Sequence, residues 1–313
     1  VVSGTGTFAD ATVNNTVVNG LSVGANVFKW TISNGGCAVS ESTVTINRDA
    51  LPTVSVAGAN QTLCADNATL AGNSPTLGVG TWTVVSGTGT FTSASQHNTT
   101  VTGLSVGVNV FQWSIVNGTC ATPSVSTVTI TRLDNPTISV AGANQNVCIA
   151  TATLTGNLPT TGTGLWTVVS GTGTFADATV NNTSVSNLSV GANVFKWTIS
   201  NGGCAVSESS VVITRDALPT VSVAGSDQTI CLPTAVLSGN NATVGTGTWT
   251  TASGATIANP TQFNSAVSGL SVGANVFTWT IANGTCANSV STVTITRLDN
   301  PTISVAGANQ NVC

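Results

Sequence analysis

The sequence predicts an all-β chain of tandem β-sandwich domains, and three observations carry that prediction. Ser-Val-Gly-(Ala/Val)-Asn-Val-Phe-x-Trp begins at Ser22, Ser105, Ser189 and Ser271, at spacings of 83, 84 and 82 residues. Within each unit, apolar residues alternate with polar ones at period two, and no segment shows a period of 3.6. Asn-Gly pairs, such as Asn117-Gly118, separate the two longest alternating runs, which is the hairpin signature.

Taking the unit from residue 50 as the example, residues 53–57 follow a proline, alternate, and read as a first strand. Residues 68–71 give a short second strand and residues 80–86 a third, carrying Trp82. Residues 98–104 form another, ending at the Leu-Ser-Val-Gly corner. Residues 108–116 and 125–131 are the two long strands of the hairpin. On the first of these, Phe111, Trp113 and Ile115 share a face, and Gln112 and Ser114 share the other. Lys29, Lys196 and Thr278 stand where Gln112 does, which marks that face as outward. About seven short strands in such a unit imply an immunoglobulin-like sandwich.

The cysteines keep the same beat in two series. Cys37, Cys120, Cys204 and Cys286 follow Asn-Gly, whereas Cys64, Cys148, Cys231 and Cys313 follow an Asn-Gln or Asp-Gln stretch. Junctions alternate between Arg-Asp-Ala-Leu-Pro-Thr, at Arg48 and Arg215, and Arg-Leu-Asp-Asn-Pro-Thr, at Arg132 and Arg297. Residues 131–148 match residues 296–313 at all 18 positions, so the units alternate as ABAB. The expected domains are a partial repeat at 1–49, full repeats at 50–133, 134–216 and 217–298, and the start of another at 299–313. Together with the absence of Met, this reads as a segment of something longer.

Composition narrows the function. Charged residues are 5% of the chain, and 6 Lys+Arg against 10 Asp+Glu give a net charge of −4. Without clustered cations to displace phosphate counterions, nucleic acid is not a partner. The mean hydropathy is positive, yet Thr, Ser, Asn or Gly interrupts every apolar run short of a membrane span. Eight Cys suggest an oxidising, extracellular setting.

Four further motifs make a resemblance specific: Ala-Gly-(Ala/Ser)-(Asn/Asp)-Gln-x-x-Cys, Gly-Thr-Gly-x-Trp-Thr, Leu-Ser-Val-Gly-x-Asn-Val-Phe-x-Trp and Asn-Gly-x-Cys-Ala. They resemble the PKD-like and Ig-like repeats of giant Bacteroidota surface proteins, including gliding-type adhesins exported by the type IX route. The resemblance covers the whole chain. It implies a linear, filament-like array outside the cell, with no catalytic residues and no cofactor.

The remaining chemistry is sparse. His97 stands where other units carry Asn14 or Asn181, and one imidazole builds neither a zinc site nor a repeated triad. Glu41 and Glu208 lie in separate units, too far apart for a glycosidase pair. Gly-Thr-Gly-Thr at Gly4, Gly87 and Gly171 lacks the lysine and helix of a phosphate loop and reads as a turn. Asp10 and Asp177 are lone acids, too few for calcium. Trp30, Trp82, Trp113, Trp166, Trp197, Trp249 and Trp279 occupy strand positions that pack a sandwich core rather than stack on sugars.

Cysteine connectivity is not fixed by sequence. Pairing Cys37 with Cys64 spans a strand and a junction. Intradomain pairing joins Cys64–Cys120, Cys148–Cys204 and Cys231–Cys286, yet the sandwich topology puts such cysteines at opposite poles. Junction pairing joins Cys64–Cys204 and Cys148–Cys286, and topology favours it; the intradomain scheme and free thiols remain the alternatives. The expected partners are further copies of the repeat in the same chain, with other surface filaments or polysaccharide beyond them. The leading reading is a mechanical spacer or adhesin stalk, and the competing one a carbohydrate- or surface-binding module array.

Overall fold

The computed structural model of the chain describes residues 1–311; Cys313 lies outside them. The described residues form strands and turns with no helix, as alternation and β-branched content require. They divide into two compact units, Val1–Asn135 with the loop Asn201–Ala205, and Pro136–Ser200 with the chain from Val206 onward. Each unit therefore holds more than one of the expected repeats.

In the first unit, a four-stranded sheet runs in the order Gln61–Leu63, Ser124–Arg132, Gly107–Val116, Val79–Ser86. A three-stranded sheet, in the order Asn67–Thr69, Thr100–Thr102, Thr90–Phe91, faces it. Pairing is antiparallel except at Gln61–Leu63, which runs parallel to the end of the last strand. Trp82 lies directly opposite Trp113 in the register, with ring centroids 5.0 Å apart, and both are fully buried. Leu70, Val101, Phe111, Ile115 and Ile130 complete that core. Burying one such indole removes roughly 200 Å² from water, about 5 kcal/mol at ~25 cal/mol/Å² and an upper bound.

The first 48 residues carry a smaller piece of the same design. Gly24–Ile32 pairs with Ser40–Arg48, and Thr7–Phe8 with Val18–Asn19.

The second unit contains the pattern twice. One sheet runs Gln145–Val147, Ser207–Arg215, Gly191–Ser200, Thr163–Ser170, and its counterpart Gln228–Ile230, Ser289–Arg297, Gly273–Ala282, Thr246–Thr251. Each faces a three-stranded sheet across its own core, built on the pairs Trp166–Trp197 and Trp249–Trp279.

Two local expectations need correcting. Residues 53–57 are extended but form no regular strand. They divide their bonds between two neighbours: Thr53 and Val56 bond Leu77 and Asn73, while the Ser55 amide donates to Ser124 Oγ. The Ser55 hydroxyl donates 2.7 Å to the Trp113 carbonyl, so side chains replace the ladder there. Conversely, Gln61–Leu63 and Thr90–Phe91 are strands too short to show any period in sequence.

Candidate functional site at the linker cysteines

The hairpins after Gly107–Val116, Gly191–Ser200 and Gly273–Ala282 fold back onto the linkers that precede their own sandwiches. Asn117 Nδ2 donates 2.9 Å to the Ala50 carbonyl. The Thr119 amide and hydroxyl both donate to Asp49 Oδ2, at 2.6 and 2.9 Å. Those bonds hold the Asp49 carboxyl below its usual range, the amide contributing most and the hydroxyl next. Gly118 adopts φ +52°, and a Cβ there would collide with the Asp49 carboxylate, which is why Asn-Gly stands at this turn. Cys120 Sγ then rests 3.2 Å from the Ala50 carbonyl.

The second unit repeats this arrangement: Asn283 donates 2.7 Å to Ala217, Thr285 binds Asp216, and Cys286 Sγ sits 3.4 Å from the Ala217 carbonyl. On the linker after Arg132, Asn201 donates 2.8 Å to the Asp134 carbonyl and Cys204 Sγ lies 3.4 Å from it. Leu133 stands there where Asp49 does, and Gly203 where Thr119 does, so the carboxylate clamp is absent.

The other cysteine series arrives from the neighbouring sandwich. Gln61–Leu63 runs parallel beside Ile130–Arg132, and the Leu133 amide donates 2.8 Å to the Leu63 carbonyl. Cys64 therefore sits where the last strand leaves for the linker, and the hairpin carrying Cys204 folds onto that same linker. Cys64 and Cys204 form a disulfide with Cα atoms 5.4 Å apart. Cys148 and Cys286 form the equivalent bond, with Cα atoms 4.9 Å apart. Both values lie in the range a disulfide needs. Among the described residues, Cys37, Cys120 and Cys231 are free thiols.

Six of the seven tryptophans are fully buried; Trp30 is partly exposed because nothing among the described residues packs a second indole against it. His97 is a loop residue whose carbonyl accepts from the Gly72 amide. Glu41 and Glu208 pair with Lys29 and Lys196, at 3.0 and 2.9 Å, across their own hairpins. Asp10 and Asp177 fold back on Thr12 and Thr179, and these bonds lower both carboxyls. No group of three or more His, Cys, Asp or Glu among the described residues is placed to hold a metal. No helix of the described residues is long and apolar enough to cross a membrane.

One recurrent polar residue was not singled out from the sequence. Asn26, Asn109, Asn193 and Asn275 are fully buried. Asn26, Asn109 and Asn193 hold the Gly-Thr-Gly turn; Asn109 Oδ1 accepts from Thr88, and a Cβ on Gly87 would strike that oxygen. The signal was present: Asn109 falls on the inward register of Phe111 and Trp113.

No protein-family model matches the chain, and no curated protein does. Solved structures match across most of its length. A three-Ig fragment of titin in an E-to-A variant aligns with a TM-score of 0.52 at 12% identity, covering 79% of this chain and 99% of that one. A titin I-band fragment gives 0.50 at 12%, with coverages of 79% and 96%. The N-terminal eight Ig domains of Down Syndrome Cell Adhesion Molecule give 0.50 at 10%, covering 91% of this chain and 42% of that one. At such identities the likeness speaks for fold: the chain is a tandem array of immunoglobulin-like sandwiches.

Proposed function

We propose that the chain is a structural segment of an extracellular surface filament or adhesin stalk, a spacer rather than a catalyst. The observation that carries this reading is the pair of disulfides at the linkers. Each ties the end of one sandwich to the hairpin of the next, and each hairpin also grips the linker through an asparagine. Such ties limit rotation about a short, proline-containing linker and require an oxidising compartment. The repeat boundaries at 49/50, 133/134, 216/217 and 298/299 belong to the same proposal, as does a Bacteroidota origin, which rests on the motif resemblance. Electron microscopy under oxidising conditions tests the reading. Thin fibres are expected, and compact globules, or specific capture of a glycan by the array on a glycan microarray, would overturn it.

A further inference from the structure

Asn-Gly recurs at the hairpin after each penultimate strand, beginning at Asn34, Asn117, Asn201 and Asn283. That dipeptide is chemically labile, because glycine puts no side chain in the way of its own nitrogen attacking the preceding side-chain amide. At three of these turns the labile amide is also the group that grips the linker. Asn117 Nδ2 donates to the Ala50 carbonyl, Asn201 Nδ2 to that of Asp134, and Asn283 Nδ2 to that of Ala217. A turn bond fixes the backbone of each asparagine as well: the Cys120, Cys204 and Cys286 amides donate to the Asn117, Asn201 and Asn283 carbonyls, all at 3.1 Å.

What lies beside the turn differs between the alternating linkers. The Asp216 carboxylate rests against Gly284, where a Cβ would collide with it, and accepts from the Thr285 amide at 2.7 Å. Asp49 rests against Gly118 in the same way and accepts from the Thr119 amide at 2.6 Å. At Gly202 a Cβ would meet the apolar side chain of Leu133 instead. A negative charge appearing on Asn117 or Asn283 would therefore stand beside one already present.

We propose that Asn117 and Asn283 are deamidation sites held in check by their grip on the linker, and that conversion of either one releases its hairpin. At Asn283, the Gly284 nitrogen attacks Cγ and a C–N bond forms. The Cγ–Nδ2 bond breaks, and Nδ2 leaves as ammonia with the proton from the Gly284 amide. Water then opens the cyclic imide at either carbonyl, giving aspartate or isoaspartate. Bringing Cγ onto the Gly284 nitrogen requires the amide to leave Ala217, so a closed junction reacts slowly and an open one fast. The product cannot grip again. Its carboxylate offers only acceptors to the Ala217 carbonyl, and its charge faces Asp216.

Because ammonia is lost, the step runs one way, and the amount of product records how long a junction has spent open. The Cys148–Cys286 bond anchors the same hairpin and shortens that time. Asn19-Gly20 supplies a comparison within the chain: Asn19 is exposed on the short strand Val18–Asn19, and Gly20 takes φ +70° with nothing near its Cβ position. The inference stands whether or not the array serves as a stalk.

The test incubates the oxidised 313-residue chain in mildly alkaline buffer and follows conversion of Asn283 and Asn19 by peptide mass. In the folded chain Asn283 is expected to convert at least about tenfold more slowly than Asn19, since its bond to Ala217 must break first. In denaturant with reductant the two rates should converge. Asp216→Ala, which removes the acceptor for Thr285, should speed conversion of Asn283 severalfold and leave Asn19 unchanged. Release is read separately. Asn283→Asp should raise exchange of the Thr285 amide, and adding Asp216→Asn, which keeps an acceptor without the charge, should restore part of the protection. Equal rates for Asn283 and Asn19 in the folded chain, or unaltered Thr285 exchange in Asn283→Asp, would each overturn the proposal.

Discussion

The amide of Thr88 donates 2.9 Å to Oδ1 of Asn109, and through that bond the Gly-Thr-Gly turn is fastened to the penultimate strand. The same oxygen accepts from the Ser105 hydroxyl at 2.7 Å, while Nδ2 donates to the Ser105 carbonyl at 2.8 Å. Asn109 is fully buried, so its own amide makes these bonds without competition from water. Asn109→Ala is expected to cost about 3 kcal/mol, the penalty for several orphaned polar groups rather than for lost area. Hydrogen exchange should show protection falling in Gly107–Val116 and its neighbours and unchanged in the second unit. Unchanged protection around Thr88 would show that the asparagine holds nothing.

Gly80 lies against the Trp113 ring, and a Cβ there would overlap it. Gly164 and Gly247 meet Trp197 and Trp279 in the same way. Gly80→Ala should destabilise that sandwich by about 2 kcal/mol through overpacking and displace the paired indoles. Near-ultraviolet circular dichroism reads the displacement directly. An unaltered spectrum with unaltered stability would contradict it.

The Asp49 carboxyl is held below its usual range by the Thr119 amide and hydroxyl. A carboxyl lowered in the folded state contributes stability above its unfolded pKa and loses it as pH falls through the folded value. The hairpin at Asn117–Cys120 should therefore loosen only in acid, and Asp49→Ala should loosen it at neutral pH. Exchange of the Thr119 amide, followed by nuclear magnetic resonance between about pH 2 and 7, is the measurement. Equal exchange in Asp49→Ala and the parent at neutral pH would refute the clamp.

The Cys64–Cys204 bond closes a sequence separation of 140 residues. Loop entropy of that size contributes up to about 5 kcal/mol by restricting the unfolded chain. Cys204→Ser should lower the midpoint of denaturant unfolding under oxidising conditions, and reductant should erase the difference between variant and parent. A midpoint insensitive to both would show the bond to be inert.

Much of this was legible in sequence, for identifiable reasons. Alternation on Gly107–Val116 is an intrinsic signal, since the strand faces core on one side and solvent on the other. The repeat also supplied its own controls, with Gln112, Lys29, Lys196 and Thr278 marking the outward face. Residues 53–57 misled because alternation reports which way side chains point, not where backbone bonds go; Ser55 places them on hydroxyls. Gln61–Leu63 is three residues long, and only its parallel pairing to the distant Ile130–Arg132 makes it a strand. The role of the buried asparagines is not legible from alternation, which marks Asn109 as inward but does not report that its amide bonds Thr88 and Ser105. Trp30 shares the register of Trp113, Trp197 and Trp279 yet is partly exposed, because burial depends on what covers a position and the motif does not report that.

Thiol labelling of Cys64→Ser tests the central claim, that the cysteine at the end of one sandwich is bonded to the hairpin of the next. Trypsin releases Cys204 in the peptide 197–215, between Lys196 and Arg215, where no other cysteine occurs. Alkylation of the folded parent under oxidising, denaturant-free conditions, and then after unfolding without reductant, should leave Cys204 unlabelled and Cys120 labelled. In Cys64→Ser, Cys204 should become labelled and Cys120 should not change. If Cys204 stays protected while Cys120 alone gains label, the bond lies within one sandwich and the stapled array is wrong.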